Sequence, residues 1–280
     1  MPLQENLLYP RPAWFPDALA AIGRHGFLTA RQLGAVTHVD PHDVAPALSA
    51  LVAEGLLQTL MPTHGTGGRA VEPALVLTRM GRDLLRVVDE RAPIATVHAA
   101  KSRYILAHDL LRNEFGLVLE ALADQGLVVL HRFEAAREKI AAVARVPGQG
   151  APERVPLVAD ALAVLAVAGV TTAFLVEVDR GTIGIERMRT KYRGYLAWAR
   201  DQGPLRRFGL KSLRVLTVAP TAARLKRLRE AALDATDGRG NGLFWFCPES
   251  AVDCLAPERL LEPIATVART GDSLYERLFV

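Results

Sequence analysis

Apolar residues near the start of the chain recur at helical spacing in short blocks. Ala18, Leu19, Ala21 and Ile22 predict a helix over 16–25 that stops at Gly26. Thr29 is placed to cap a second, brief helix over 30–34. Asp40, Pro41 and Asp43 form a strong start signal for a third, along which Val44, Ala47, Leu48, Leu51 and Val52 keep one face apolar until Gly55. The pattern then changes: residues 56–60 and 74–77 are two apolar runs separated by a polar loop with three glycines, which predicts a β-hairpin. Thr78 caps a further helix with Met80, Leu84, Leu85 and Val88 on one face. Helix, helix, helix, hairpin, helix is the order of a winged helix-turn-helix.

Residues 92–97, with Pro93, interrupt the pattern and read as a linker. Beyond it the spacing predicts a long helix over 100–124 and a strand over 127–133. A polar stretch over 147–156 reads as a loop, followed by apolar strands over 157–168 and 172–178 joined at Gly169. A helix over 182–201, opened by Thr182, a strand over 213–219, a helix over 222–233 and a strand over 243–247 complete the order αβββαβαβ. The predicted fold class is α/β (α+β) in two domains, residues 1–95 and 96–280, since 280 residues exceed what one core usually serves.

Half of the residues are apolar, enough for real cores. The longest apolar run, 159–178, is broken by Asp160, Gly169, two threonines and Glu177, so it reads as strands rather than a membrane span. Residues 1–12 lack the basic start and apolar stretch of a signal peptide, and a cytoplasmic location with no membrane partner is expected. Cys247 and Cys254 show no zinc or disulfide pattern and read as reduced structural thiols. The net charge of +4 is unevenly spread: residues 180–230 carry 14 Lys/Arg against 3 Asp/Glu, whereas the rest of the chain is net negative. A local field of that sign favours nucleic acid as a partner. Arg180, Arg187, Arg189, Arg193, Arg206, Arg207 and Lys211 are its candidate phosphate contacts, with Arg69 on the wing tip as a candidate for the minor groove. The third helix carries Asp40, Asp43 and Glu54 but no Lys or Arg, so base readout there falls to His38, His42 and Ser49, and the wing can equally serve as a homodimer surface.

Asp160 and Glu177 are acids inside strands that otherwise read as core, and a buried carboxylate needs a cation or hydrogen-bond donors. Adjacent strands can hold the two together as ligands for Mg²⁺ or Mn²⁺, which would activate water at a phosphate. They can also form a structural pair satisfied by Arg180 and Lys191, which would leave the site inert. Asp179 can simply end its strand. Tyr195 and Trp198 fit a core face better than a platform for bases. His108 and His131 are further residues that can approach the site, or sit satisfied in the core.

The order αβββαβ, with Asp on one hairpin strand and Glu on the next, resembles the PD-(D/E)XK nuclease superfamily over roughly residues 100–247. The first element here reads Ala159-Asp160, without the proline, and the second reads Glu177-Val178-Asp179, with an acid at the lysine position. The resemblance implies catalytic roles for Asp160 and Glu177, and transfers the lysine role to Lys191 on the following helix. More narrowly, "VADALAVLAVAG" and "FLVEVDRGTIGIERMRTKYRGYLAW" behind a winged helix resemble the replication-relaxation family of plasmid and mobile-element proteins. The specific element is Glu177, Asp179, Arg180, Gly181, Thr182, Lys191 and Tyr195. That resemblance implies a DNA-binding role in plasmid replication and DNA relaxation alongside replication proteins. Two readings follow: a metal-dependent nickase or nuclease, and a non-catalytic DNA-binding regulator or accessory factor on a degenerate nuclease fold.

Overall fold

The computed structural model describes residues 11–62, 70–95, 103–135, 142–146, 153–209, 212–269 and 276–278. The chain forms two compact units, Met1–Leu117 and Val118–Val280. The division falls inside a long helix rather than at the 92–97 stretch.

In the first unit α1 (Phe15–His25), β1 (Leu28–Thr29), α2 (Ala30–Thr37), α3 (Pro41–Ala53), β2 (Leu57–Leu60), β3 (Ala74–Leu77) and α4 (Arg79–Val88) follow in the expected winged-helix order. The two residues of β1 add a third strand to the hairpin, in the order β1-β3-β2. The caps act as read: Thr29 and Gln32 bond reciprocally in a capping box, Asp40 accepts from the His42 amide, and Thr78 accepts from the Gly81 amide. Met80 and Val88 do not share the buried face of α4 with Leu84 and Leu85; both are exposed. Arg69 lies outside the described residues.

The helix α5 (Arg103–Asp124) begins in this unit. Its Leu106 and Leu110 pack with Phe27, Ala74 and Val76. Asn113 donates to the carbonyls of His25 and Phe27 at 3.1 and 2.9 Å, and the fully buried Glu114 meets Arg31 at 2.6 Å and Gln32 at 2.7 Å. Such bonds satisfy polar groups that the helix periodicity alone assigns to no partner, and they place the start of α5 with the winged helix, although the sequence pattern groups it with the following strands.

The second unit is built on a seven-stranded sheet. Its strands are β4 (Val129–Glu134), β7 (Ala161–Val167), β8 (Val170–Val178), β9 (Leu213–Ala219), β10 (Gly240–Pro248), β11 (Pro263–Arg269) and β12 (Glu276–Arg277), in the order β12-β11-β10-β9-β8-β7-β4. β8, β9 and β10 are parallel and the other pairings antiparallel. The crossovers are α6 (Ile185–Arg200) with the short α7 (Gly203–Phe208), then α8 (Ala222–Ala235). The αβββαβ order is present, with an added hairpin, β5 (Ala142–Val146) and β6 (Glu153–Leu157), inside the stretch read as a loop. α6 starts at Ile185 with Gly184 as its cap, not at Thr182.

Alternation along the strands decides what each face holds. Leu162, Val164, Ala173, Leu175, Val215, Phe244 and Phe246 join Met188, Tyr192, Tyr195 and Trp198 of α6 and Leu228, Ala231 and Ala232 of α8 in one core. The β5–β6 hairpin contributes Ala144, Val155 and Leu157 to the same core. Gly194 allows this approach, since a Cβ there would sit 2.9 Å from both Val155 and Leu157 side chains.

Candidate functional site

Asp160, Glu177 and Lys191 are brought together by three different elements. Asp160 immediately precedes β7 and pairs its amide with the Val176 carbonyl at 2.9 Å. Its Oδ2 accepts from the Val178 amide at 2.9 Å. Glu177, near the end of β8, shares the helix-covered face of the sheet with Ala173 and Leu175. Lys191 and Tyr195, one turn apart on α6, both reach it: Lys191 Nζ is 2.6 Å from Glu177 Oε2, and the Tyr195 hydroxyl donates to Oε1. Lys191 also donates to the Val158 carbonyl at 2.9 Å. On the next strand Thr217, in register with Glu177, meets the Tyr192 hydroxyl at 3.0 Å.

Burial sets the electrostatics of this row. It pushes the Glu177 carboxyl from its ordinary 4.5 up to about 6, with Lys191 opposing the rise and the charge of Asp160 adding to it. The Tyr195 hydroxyl is raised well above its usual range by burial and by Glu177, so it stays protonated and keeps its donor role. His108 contacts Asp109 at 3.1 Å, and His131 is exposed on β4.

A divalent ion needs several oxygen ligands. Both Glu177 oxygens are engaged by protein donors, one of them an ammonium group, and one Asp160 oxygen is held by a backbone amide. Among the described residues no group of three or more His, Cys, Asp or Glu is placed to hold a metal. As folded, the two carboxylates are met by Lys191, the Tyr195 hydroxyl and the Val178 amide.

The rest of the acidic and basic motif is consumed in the same way. Asp179, 1 % exposed, accepts two bonds from Arg224 at 2.9 and 2.8 Å and one from the Gly181 amide at 2.7 Å. Arg224 also donates to the Ile183 carbonyl. Arg180 pairs with the buried Glu249 at 2.5 Å. Arg189 meets Glu186 and Asp234. Thus two of the predicted phosphate contacts, Arg180 and Arg189, are tied to acids, whereas Arg187, Arg193, Arg206 and Arg207 are exposed. Lys211 lies outside the described residues. Tyr195 and Trp198 are core, as their spacing indicated. The Arg224 and Glu249 partners were missed because they lie 45 and 69 residues from their acid and base, beyond any local spacing rule.

Among the described residues no helix is long and apolar enough to cross a membrane. No curated protein matches the sequence. Among solved structures, the crystal structure of Bacillus subtilis PadR in complex with operator DNA aligns at 17 % identity over 42 % of this chain and 75 % of that one, with a TM-score of 0.25. A family model described as Replication-relaxation matches residues 19–213, from α1 to the start of β9, and so includes every member of the Glu177 to Tyr195 motif. On that match, which spans well over half of the sequence, the chain belongs to the replication-relaxation family.

Proposed function

We propose that this protein is a cytoplasmic DNA-binding replication factor of plasmids or mobile elements in which the carboxylate–lysine cluster on a nuclease-like sheet works as an internal clamp. The observation that carries the reading is the division of charge. Glu177, Asp179 and Arg180 are all spent on Lys191, Tyr195, Arg224 and Glu249, while other arginines of the same unit remain on the surface, where phosphates can reach them. The winged helix supplies a second DNA contact or a homodimer surface, and replication proteins are the expected further partners.

A metal-dependent nickase is the second reading, favoured by the convergence of Asp160, Glu177 and Lys191 at the ends of adjacent strands. An ion there would compete with Lys191 and Tyr195 for Glu177. Supercoiled plasmid incubated with the protein and Mg²⁺ or Mn²⁺, beside Asp160→Ala and Glu177→Ala, separates the two. The clamp reading expects intact supercoils with retained gel-shift binding; nicking by the wild type that both substitutions abolish would replace it with the enzyme.

A further inference from the structure

The peripheral β5–β6 hairpin carries a feature that the charged run over 180–230 does not include. Arg145 and Arg154 are directly opposite partners in its register, on the exposed face, while Ala144 and Val155 on the other face enter the core. Like charges placed opposite each other across two strands are destabilising, and no acid among the described residues pairs with either. A cleft runs beside this face, lined by Arg145 together with Arg206 and Arg207 from the last turn of α7, with Trp198, Asp201 and Gly203 among its other walls. Asp201 is the single acid of that lining. Four exposed guanidinium groups thus gather at one edge of the unit from two distant parts of the sequence. The cost of holding them together falls when an anion with several oxygens bridges them.

We infer that Arg145, Arg154, Arg206 and Arg207 form the principal seat for the phosphodiester backbone of DNA in this unit. The inference deepens the DNA-binding reading above and rests on it. Arginine suits the role because its planar fork holds phosphate oxygens in pairs and keeps its charge at any working pH. The cleft and hairpin face offer a row of guanidinium groups that a phosphodiester backbone can follow.

The test is fluorescence polarisation of a short labelled duplex over a range of salt, using the full chain. The variant Arg145→Ala/Arg154→Ala/Arg206→Ala/Arg207→Ala should weaken binding at least about tenfold and flatten the log K against log salt slope by about 2 or more. Lys226→Ala/Arg227→Ala, which removes two exposed charges from α8, should stay within about twofold. All variants alter exposed side chains, and an unchanged thermal midpoint confirms their folding. Wild-type affinity in the fourfold variant, with wild-type binding still salt-dependent, would overturn this seat and leave the DNA-binding reading standing. An equal loss in the α8 variant would overturn it too, as a general charge effect. Absence of salt-dependent binding in the wild type would bring down the DNA-binding reading itself.

Discussion

The two hairpins of the second unit handle charge in opposite ways. β7–β8 lies inside the sheet, flanked by β4 and β9, and every described charged residue of its Glu177 to Arg180 end has an internal partner. Among the described residues β5–β6 pairs only with itself, docks one face on α6 and leaves Arg145 and Arg154 outside. A charge within the sheet must be satisfied by the fold, because water is excluded. At the edge a charge can be left for a ligand. The comparison teaches that the basic run of the sequence mixes two populations, one that holds the unit together and one that is available to a partner.

The largest expected effect that sharpens this comparison is Arg224→Ala. It leaves Asp179 buried with its charge uncompensated, and should lower unfolding free energy by roughly 3–5 kcal/mol in urea titrations; an effect as small as that of an ordinary surface arginine would break the assignment of Arg224 to the internal population. The Glu177 cluster gives the next effect. Its folded pKa, about 6, lies above its ordinary 4.5, so the native state binds the proton more tightly than the unfolded chain. The contribution is full below about pH 4.5 and is lost as pH rises through about 6, a change of about 2 kcal/mol. Wild type should therefore lose about that much stability between pH 4.5 and 7 relative to Glu177→Gln, which cannot titrate; parallel pH profiles for the two would show that Glu177 ionises as freely as a surface acid. The smallest effect concerns the β7–β8 turn, where Ala168 and Gly169 both have positive φ, 48° and 81°. An alanine in that region is strained by roughly 1–2 kcal/mol, partly offset by the entropy that glycine loses on folding. Ala168→Gly should raise stability by about 0.5 kcal/mol in the same urea assay, while leaving DNA binding by the other hairpin unchanged.

The same contrast explains what the sequence made legible. β7 and β8 announce themselves through mostly apolar runs, and an acid in or beside such a strand demands a partner, which is why the sequence points to Asp160, Glu177 and Lys191 together. β5 and β6 could not be read that way. Arg145, Arg154 and Pro156 break the apolar pattern, and a two-stranded hairpin of this kind is stable only when docked; its docking depends on Gly194, distant in sequence. Caps and helix starts were legible where a side chain makes the bond, as at Thr29, Asp40 and Thr78, and misread at Thr182, where α6 begins without one. The extent of α5 within the first unit depends on Asn113 and Glu114 bonding to α1, β1 and α2 neighbours, information that periodicity does not hold.

Both cysteines, Cys247 on β10 and Cys254 beyond it, are unbridged and buried, and burial pushes the Cys247 thiol up to about 12. A thiol held protonated and out of solvent is a poor nucleophile, so the folded chain is a quiet background for maleimide chemistry. A cysteine introduced on the outer face of β5 or β6 would take a dye selectively, turning that hairpin into an optical reporter of whatever docks against it, and any later labelling of the native pair would time the opening of the sheet.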